Sequence, residues 1–184
     1  MNENVLYNFA DGVATITLNR PQVMNALDAE MIVRLREVCE QAEHDDRARV
    51  ILLRGAGPAF LAGGDVAAFH ANLPRLIGYQ RAMELMLLSE TMEADTLRSM
   101  GLVNRVVPAA ELEGRTRDLI ACLAGGPTRA YGETKALANQ AYDRSLAEQL
   151  DAEAQAFARC AATRDFAEGV TAFVEKRSPH FRGE

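Results

Sequence analysis

Residues 50–70 read VILLRGAGPAFLAGGDVAAFH, and this stretch decides which kind of fold the chain can adopt. The apolar run at 50–53 predicts a short strand that is buried on both faces, as in a parallel sheet. A turn of small residues follows the strand, and we expect a helix to begin near Asp65. Because ligands bind at such strand-to-helix turns in α/β sheets, this stretch is the first candidate site.

The two glycines of the turn suit a ligand that carries negative charge. Gly63 and Gly64 would let a ligand approach the backbone closely, and the positive end of the following helix dipole favours an anionic group. The backbone N–H of Gly64 is then placed to donate to an oxyanion. A tight connection that binds nothing explains the same residues, since glycine-rich turns are common. Asp65 and His70 are candidate acid/base residues by position, but a helix cap explains Asp65 and an exposed position near the start of the helix explains His70.

Composition excludes several classes of protein. The chain has 184 residues, of which 48% are hydrophobic, so it can bury a core of one domain size. Its net charge of -6 and its lack of a long basic cluster argue against a nucleic-acid partner. The three cysteines lie far apart in sequence, which indicates a reducing compartment without a structural disulfide or a metal site. No leader or membrane-spanning run is visible, so we expect a cytoplasmic protein with no membrane partner.

The N-terminal third shows strand and helix patterns. Residues 5–9 and 13–18 read as two strands, joined at Asp11-Gly12 by a dipeptide that suits a two-residue type I′ turn. Residues 28–43 have apolar positions at helical spacing, and Asp28 is a plausible N-cap. The sequence therefore predicts a hairpin, a helix and the strand at 50–53 in succession.

Beyond about residue 79 helical patterns dominate. Gly101 is expected to close one helix, and Ser145 with Glu148 forms a possible capping box. One short strand is predicted at 102–107. We therefore divide the chain into an N-terminal ββα part, 1–75, and a mainly helical oligomerisation region, 76–184. The predicted helices lie at 79–88, 93–100, 109–124, 128–141, 145–162 and 164–176.

Three passages in this order resemble one protein family. They are LNRPQVMNAL at 18–27, FLAGGDV at 60–66, and the pair GLVNRVVP at 101–108 with FVEKRSPHFRG at 173–183. Together they resemble the enoyl-CoA hydratase/isomerase family, also called crotonases. The resemblance implies an α/β, crotonase-like fold with a spiral ββα core, here shortened, and a C-terminal helical region. It also implies hydration or double-bond isomerisation of an acyl-CoA thioester in fatty-acid or related acyl-CoA catabolism.

The resemblance implies a role for each matching residue. Gly64 resembles the catalytic backbone donor that holds the thioester oxygen as an oxyanion while an enolate forms. The carbonyl of Ala62 resembles the group that meets the adenine of coenzyme A. Asn25, Ala26 and Leu27 resemble the segment beside the pantetheine arm. The residues that resemble the lining of the acyl-CoA site are Gly63, Gly64, Asp65, Val66 and Ala67.

Two C-terminal residues match family positions that bind the nucleotide end of coenzyme A, often from a neighbouring subunit. Phe173 resembles the residue that offers a flat apolar wall to the adenine, and Lys176 resembles the cation that meets the phosphates. Without the resemblance, Phe173 reads as a core residue and Lys176 as a solvated cation at a helix end. The resemblance implies a homo-oligomer, a trimer or a hexamer, and no cofactor other than the coenzyme A of the substrate.

The chain also departs from the family pattern. Family members are longer, and an internal segment that they carry is expected to be missing after about residue 72. That segment bears a second glycine-rich oxyanion loop of the AAGGG type and the acid/base carboxylates, for which we find no counterparts. Its loss would uncover the apolar faces of 50–53 and of the helix at 28–43. The alternative function is therefore a non-catalytic acyl-CoA-binding or oligomerisation protein of the same ancestry.

Overall fold

A computed structural model describes residues 4–61, 73–88 and 92–184 of the chain. Within these residues the fold is α/β, with one three-stranded sheet in the order β1-β2-β3. The turn between the first two strands has positive φ at both Asp11 and Gly12, as a type I′ turn requires. The predicted hairpin is therefore confirmed. The strands are β1 (Val5–Ala10), β2 (Val13–Leu18) and β3 (Val50–Gly55).

Strand β3 lies beside β2 and runs parallel to it. The N–H of Arg49 donates to the carbonyl of Gly12 at 2.7 Å, and the N–H of Ala56 donates to that of Leu18 at 2.8 Å. Ile51 and Leu53 remain 49% and 43% exposed. The prediction that this strand is buried on both faces is therefore wrong. Burial of both faces needs a covering layer on each side, and β3 is an edge strand in the described part of the sheet.

The helices follow the sequence pattern closely, with ends within two residues of the predicted ones. The first helix is capped as expected, because the Asp28 carboxylate accepts from the N–H of Met31 at 2.9 Å. The helices are α1 (Ala29–Glu43), α2 (Tyr79–Leu88), α3 (Ala94–Ser99), α4 (Ala109–Ala124), α5 (Thr128–Gln140), α6 (Leu146–Ala161) and α7 (Arg164–Glu175).

Local signals also set the ends of the later helices. Ser145 and Glu148 form the predicted capping box at the start of α6. Gly101 follows α3 with a φ of 86°, as expected for a residue just past a helix end. The strand predicted at 102–107 is wrong, since these residues carry no strand. Leu102 instead packs against the buried cluster of Leu73, Ile77 and Ala82, so its apolar side chain serves a helical core.

Backbone contacts divide the chain into two compact units. The first comprises Met1–Tyr7, Ile16–Glu40 and Leu53–Thr116, and the second comprises Asn8–Thr15, Gln41–Leu52 and Arg117–Glu184. The division of the sequence at residue 75 rests on element type and stays a prediction.

The two units differ in the residues that they bury. The first unit buries large side chains, among them Ile16, Leu18 and Met31. The second buries small ones such as Ala156 and Ala172, and its helices leave many large apolar side chains exposed. No helix within the described ranges is long and apolar enough to cross a bilayer.

Candidate functional site

The chain leaves β3 through a turn that only a glycine permits. A methyl group on Gly55 would come within 2.5 Å of the carbonyl oxygens of both Ala59 and Phe60. These contacts are too short for a real side chain, so the backbone at 59–60 passes directly over Gly55. The sequence reading concentrated on the later glycine pair and missed this one, although it lies at the end of the apolar run.

Asn25 fastens this turn to an earlier part of the chain. Its side chain is fully buried, at 0% exposure, and its φ of 59° lies in the left-handed region that asparagine tolerates. The Oδ1 atom accepts from the N–H of Arg20 at 2.8 Å. The amide nitrogen donates to the carbonyls of Ala56 and Ala59 at 2.9 and 2.7 Å. Each polar atom of the side chain thus has a partner, and the amide joins residues 20–25 to the turn after β3.

Arg20 closes the other end of the same segment. Its guanidinium donates to the carbonyl of Ala26 at 2.9 Å and pairs with the Asp28 carboxylate at 2.6 Å. Ala26 and Leu27 are half-buried between these two contacts. The segment predicted to lie beside the pantetheine arm is therefore fixed at both ends.

Most of the residues predicted around the glycine pair lie outside the described residues. This holds for Ala62, Gly63, Gly64, Asp65, Val66 and Ala67, and also for His70. Their roles therefore stay predictions. Glu84 is exposed on α2.

The second unit places Phe173 at the last turn of α7. Its side chain is 84% exposed, so the reading of Phe173 as a core residue is wrong. The ring lines an apolar hollow of about 360 Å³ together with Phe166, Val170 and Phe181. The aromatic face of α7 is therefore exposed and lines this hollow, and it is not buried in a core.

Lys176 ends the same helix in a strained conformation. Its φ and ψ of 54° and 40° are left-handed, and its N–H donates back to the carbonyls of Ala172 and Phe173. A lysine in this region costs about 1–2 kcal/mol relative to a right-handed conformation. Its ammonium is exposed and has no hydrogen bond or ion pair with the described residues. Hydrogen bonds thus hold the backbone of Lys176, while its ammonium has no partner among the described residues.

A pair of charged residues holds the chain on either side of Lys176. Glu168 on α7 receives two hydrogen bonds from the Arg177 guanidinium, at 2.6 and 2.9 Å, and a third from the N–H of His180 at 2.8 Å. Arg177 also binds Glu175 at 2.7 Å. We call the contacts among Glu168, Arg177 and His180 the Glu168 clamp. Helical periodicity does not pair residues nine apart, so sequence reasoning missed it.

The end of the chain is bound to the start of the same helix. Asp165 is 4% exposed, and its two carboxylate oxygens accept from the N–H groups of Arg182 and Gly183 at 2.7 and 2.8 Å. The N–H of Asp165 donates in turn to the carbonyl of Glu184. The ring of Phe181 lies over Gly169. The C-terminal tail is therefore an ordered strap along α7.

Four carboxyl groups of the described residues have a lowered pKa and are therefore held ionised. Hydrogen bonds from Arg177, then from the His180 backbone, lower the pKa of Glu168 to about 2. Arg47 likewise lowers the pKa of Asp45 to about 2. The pKa values of Glu133 and Glu148 also fall, through Arg159 and through the Ser145 hydroxyl. None of these four shifts is the raised pKa of a general acid poised near neutral pH.

Comparison with known proteins gives a consistent family. A sequence profile described as Enoyl-CoA hydratase/isomerase matches residues 66–184, and a second profile of the same description matches residues 13–76. The probable enoyl-CoA hydratase of Rhodobacter capsulatus is 29% identical over 253 positions, covering 97% of this chain and 98% of that protein. The 1,2-epoxyphenylacetyl-CoA isomerase of Escherichia coli is 28% identical over 262 positions, with complete coverage of both chains.

A solved structure shows the same fold. The enoyl-CoA hydratase from Bacillus anthracis superposes with a TM-score of 0.87 at 24% identity, covering 99% of this chain and 100% of that one. The aligned positions of the sequence relatives outnumber the 184 residues of this chain, so parts of each relative align with no residue here. With one profile matching well over half of its length, the chain belongs to the enoyl-CoA hydratase/isomerase family, and its fold is crotonase-like.

Proposed function

We propose that this chain binds acyl-CoA thioesters and that the backbone N–H of Gly64 donates to the thioester oxygen. The observation that carries the proposal is the contact made by Asn25. Its buried amide holds the carbonyls of Ala56 and Ala59, which lie just before the Ala62–Gly64 segment. A preorganised donor needs a rigidly held backbone, and this contact fixes the backbone at Ala59, five residues before the candidate donor in the sequence.

The proposed reaction is addition of water to an enoyl thioester or migration of its double bond. In hydration, a hydroxyl group adds to the β carbon and a proton adds to the α carbon, through an enolate whose charge rests on the thioester oxygen. Isomerisation removes one proton and returns it elsewhere on the acyl chain through the same enolate. Both reactions gain from the Gly64 donor, since loss of one such donor typically slows a reaction by about 100- to 1000-fold.

We also propose that an internal segment of the relatives is absent after about residue 72. The two family profiles meet at residues 66–76, the same place where the sequence passes from the glycine loop into the C-terminal helices. The exposed Ile51 and Leu53 on β3, and Ile32 and Val33 on α1, are the surfaces that such a loss would uncover. An intact mass near 20.1 kDa for the protein purified from its own gene would support this proposal. A clearly larger mass would contradict it.

One observation favours a second function, a non-catalytic acyl-CoA-binding protein. The carboxyl groups with shifted pKa values in the described residues are bound by arginine, serine or backbone donors and are held ionised. Acid/base catalysis of proton transfer contributes about 100- to 10,000-fold, so a chain without such a group would bind substrate and turn it over slowly.

For assembly and location we propose a cytoplasmic homo-oligomer. Support comes from the helices of the second unit, which expose Leu146, Leu150 and Phe157 at 76%, 56% and 65%. A monomer rarely exposes a contiguous apolar patch of large side chains. The nucleotide end of coenzyme A would then meet Phe173 and Lys176 of a neighbouring copy, as the family resemblance implies.

The test measures binding and turnover separately. Wild type and Gly64→Pro are compared for crotonyl-CoA hydration and, by calorimetry, for butyryl-CoA binding. Proline removes the candidate donor N–H, so we expect turnover to fall by at least about 100-fold. Equal turnover in both proteins would overturn the catalytic proposal. Binding without turnover in wild type would establish the second function, and absence of binding would overturn both.

A further inference from the structure

The tail after α7 carries two neighbouring cations, Lys176 and Arg177. The contacts of Arg177 hold the backbone that carries the exposed Lys176. Lys176 and Arg177 are neighbours, yet among the residues that the structure describes only Arg177 has acidic partners. Glu168 and Glu175 compensate the charge of Arg177, while the ammonium of Lys176 stays exposed and unpaired among the described residues. Arg177 therefore fixes the backbone of the tail, whereas the exposed ammonium of Lys176 is available to an anion.

The geometry at Lys176 needs such a fixing contact. A left-handed lysine would relax to a right-handed or extended conformation if the chain on either side were free. On one side its own N–H is bound to the end of α7. On the other side the bidentate contact between Arg177 and Glu168, and the bond from the N–H of His180 to Glu168, hold the following residues against the helix.

We propose that Glu168 is a positioning residue for coenzyme A binding: through Arg177 and the His180 backbone, it fixes the direction in which Lys176 presents its ammonium to the phosphates. This inference rests on the proposed function, which assigns Lys176 to the nucleotide end of coenzyme A. The carboxylate of Glu168 would then lie in a phosphate-binding region, although its negative charge repels the phosphates.

Glu168 therefore has two opposite effects on phosphate affinity, charge repulsion and positioning of Lys176, and a substitution can separate them. Glu168→Gln removes a negative charge, so through-space electrostatics predict tighter binding of the phosphates. Loss of the clamp predicts the opposite, because the lysine is no longer held for the ligand. Butyryl-CoA affinity is measured by calorimetry for wild type, Lys176→Gln, Glu168→Gln and the double variant. S-butyryl-pantetheine, which lacks the nucleotide and its phosphates, serves as the second ligand.

We expect Lys176→Gln to weaken butyryl-CoA about tenfold, the lower range for a hydrogen bond to a charged group. Glu168→Gln should weaken it about three- to tenfold and should have no further effect in the Lys176→Gln background, because it acts through the lysine. Arg177→Lys keeps the charge but loses the two-bond geometry, and should weaken binding in the same direction by less. None of these variants should change the affinity for S-butyryl-pantetheine.

The matched control is Glu133→Gln, which breaks another bidentate arginine–carboxylate pair of the same unit. Arg159 donates to Glu133 at 2.6 and 2.7 Å, between α5 and α6. This variant should lose similar thermal stability and keep its affinity for butyryl-CoA. If Lys176→Gln weakens binding while Glu168→Gln leaves it unchanged or tighter, the positioning role is overturned and the ligand assignment survives. If Lys176→Gln itself has no effect, the assignment of Lys176 fails and the inference falls with it.

Discussion

The segment around Asn25 and the tail around Lys176 both contain a residue in the left-handed conformation, yet the two side chains have opposite fates. Asn25 is fully buried, and each of its polar atoms has a partner. Lys176 is exposed, and its ammonium has no partner among the described residues. In the first region the side chain itself fixes the backbone, whereas in the second other residues fix the backbone and leave the side chain free.

This difference distinguishes a side chain that supports the backbone from a side chain whose charge is accessible to a ligand. A buried amide with all of its hydrogen bonds made inside the protein has little capacity left for a thioester, so Asn25 is best understood as support for the turn after β3. An exposed cation on a held backbone loses less conformational freedom when it binds a phosphate. Substitutions in the two regions should therefore affect different measured quantities.

The largest effect is expected for Asn25→Ala. The change leaves the N–H of Arg20 and the carbonyls of Ala56 and Ala59 without the fully buried side chain that now binds them. Since each unsatisfied buried group costs about 1–3 kcal/mol, we expect the free energy of unfolding to fall by about 3 kcal/mol. Urea unfolding followed by circular dichroism measures it. Asn139→Ala, at an exposed position of α5, is the control and should change stability by less than about 0.5 kcal/mol.

A smaller effect of opposite sign is expected for Lys176→Gly. Glycine adopts the left-handed conformation without strain, so the free energy of unfolding should rise by about 0.5–1 kcal/mol. Affinity for butyryl-CoA should nevertheless fall, because the ammonium is lost. Lys135→Gly in the middle of α5 is the control and should lower stability by about 1 kcal/mol. A Lys176→Gly protein with lowered stability would show that the lysine is not strained.

The smallest effect is expected in acid. Because the folded-state pKa of Glu168 lies at about 2, below the ordinary glutamate value of 4.5, its contribution to stability is present above pH 4.5 and is lost as pH falls toward 2. Glu168→Gln should therefore lower the free energy of unfolding near neutral pH and flatten its further loss across this window, so that the difference from wild type shrinks as pH falls toward 2. Urea unfolding at several pH values from 7 to 2 measures the slope. Glu84→Gln removes an exposed carboxyl of α2 as the control, and an equal flattening there would contradict the assignment.

Much of the fold is visible in the sequence because its signals are local. The hairpin at Asp11-Gly12, the cap at Asp28 and the capping box at Ser145 all depend on residues within four positions of each other. The position of β3 in the sheet was not predictable, because an apolar run does not reveal whether another layer covers it. The strand prediction at 102–107 was wrong for a similar reason. Leu102 packs on a helical cluster at residues 73–82, and the residues next to Leu102 in the sequence do not reveal that contact.

The candidate site was predicted less completely. Motif resemblance assigned the Asn25 segment and the end of α7 to the ligand, and these assignments stay predictions. It did not reveal the internal bonds that the Asn25 amide makes. Gly55 was overlooked because the need for glycine there comes from the approach of residues 59–60. The Glu168 clamp was overlooked because the chain reverses at Lys176, which brings together residues that linear spacing keeps apart.

The most direct test of the account is the absorption spectrum of bound cinnamoyl-CoA, whose conjugated thioester shifts to longer wavelength when its carbonyl oxygen accepts strong hydrogen bonds. We predict a red shift on binding to wild type and a much smaller one on binding to Gly64→Pro at saturating ligand. Lys176→Gln should need more ligand to reach saturation but should then show the full shift. An unshifted spectrum in wild type, or the same shift in wild type and Gly64→Pro, would contradict a thioester site built on the Gly64 amide.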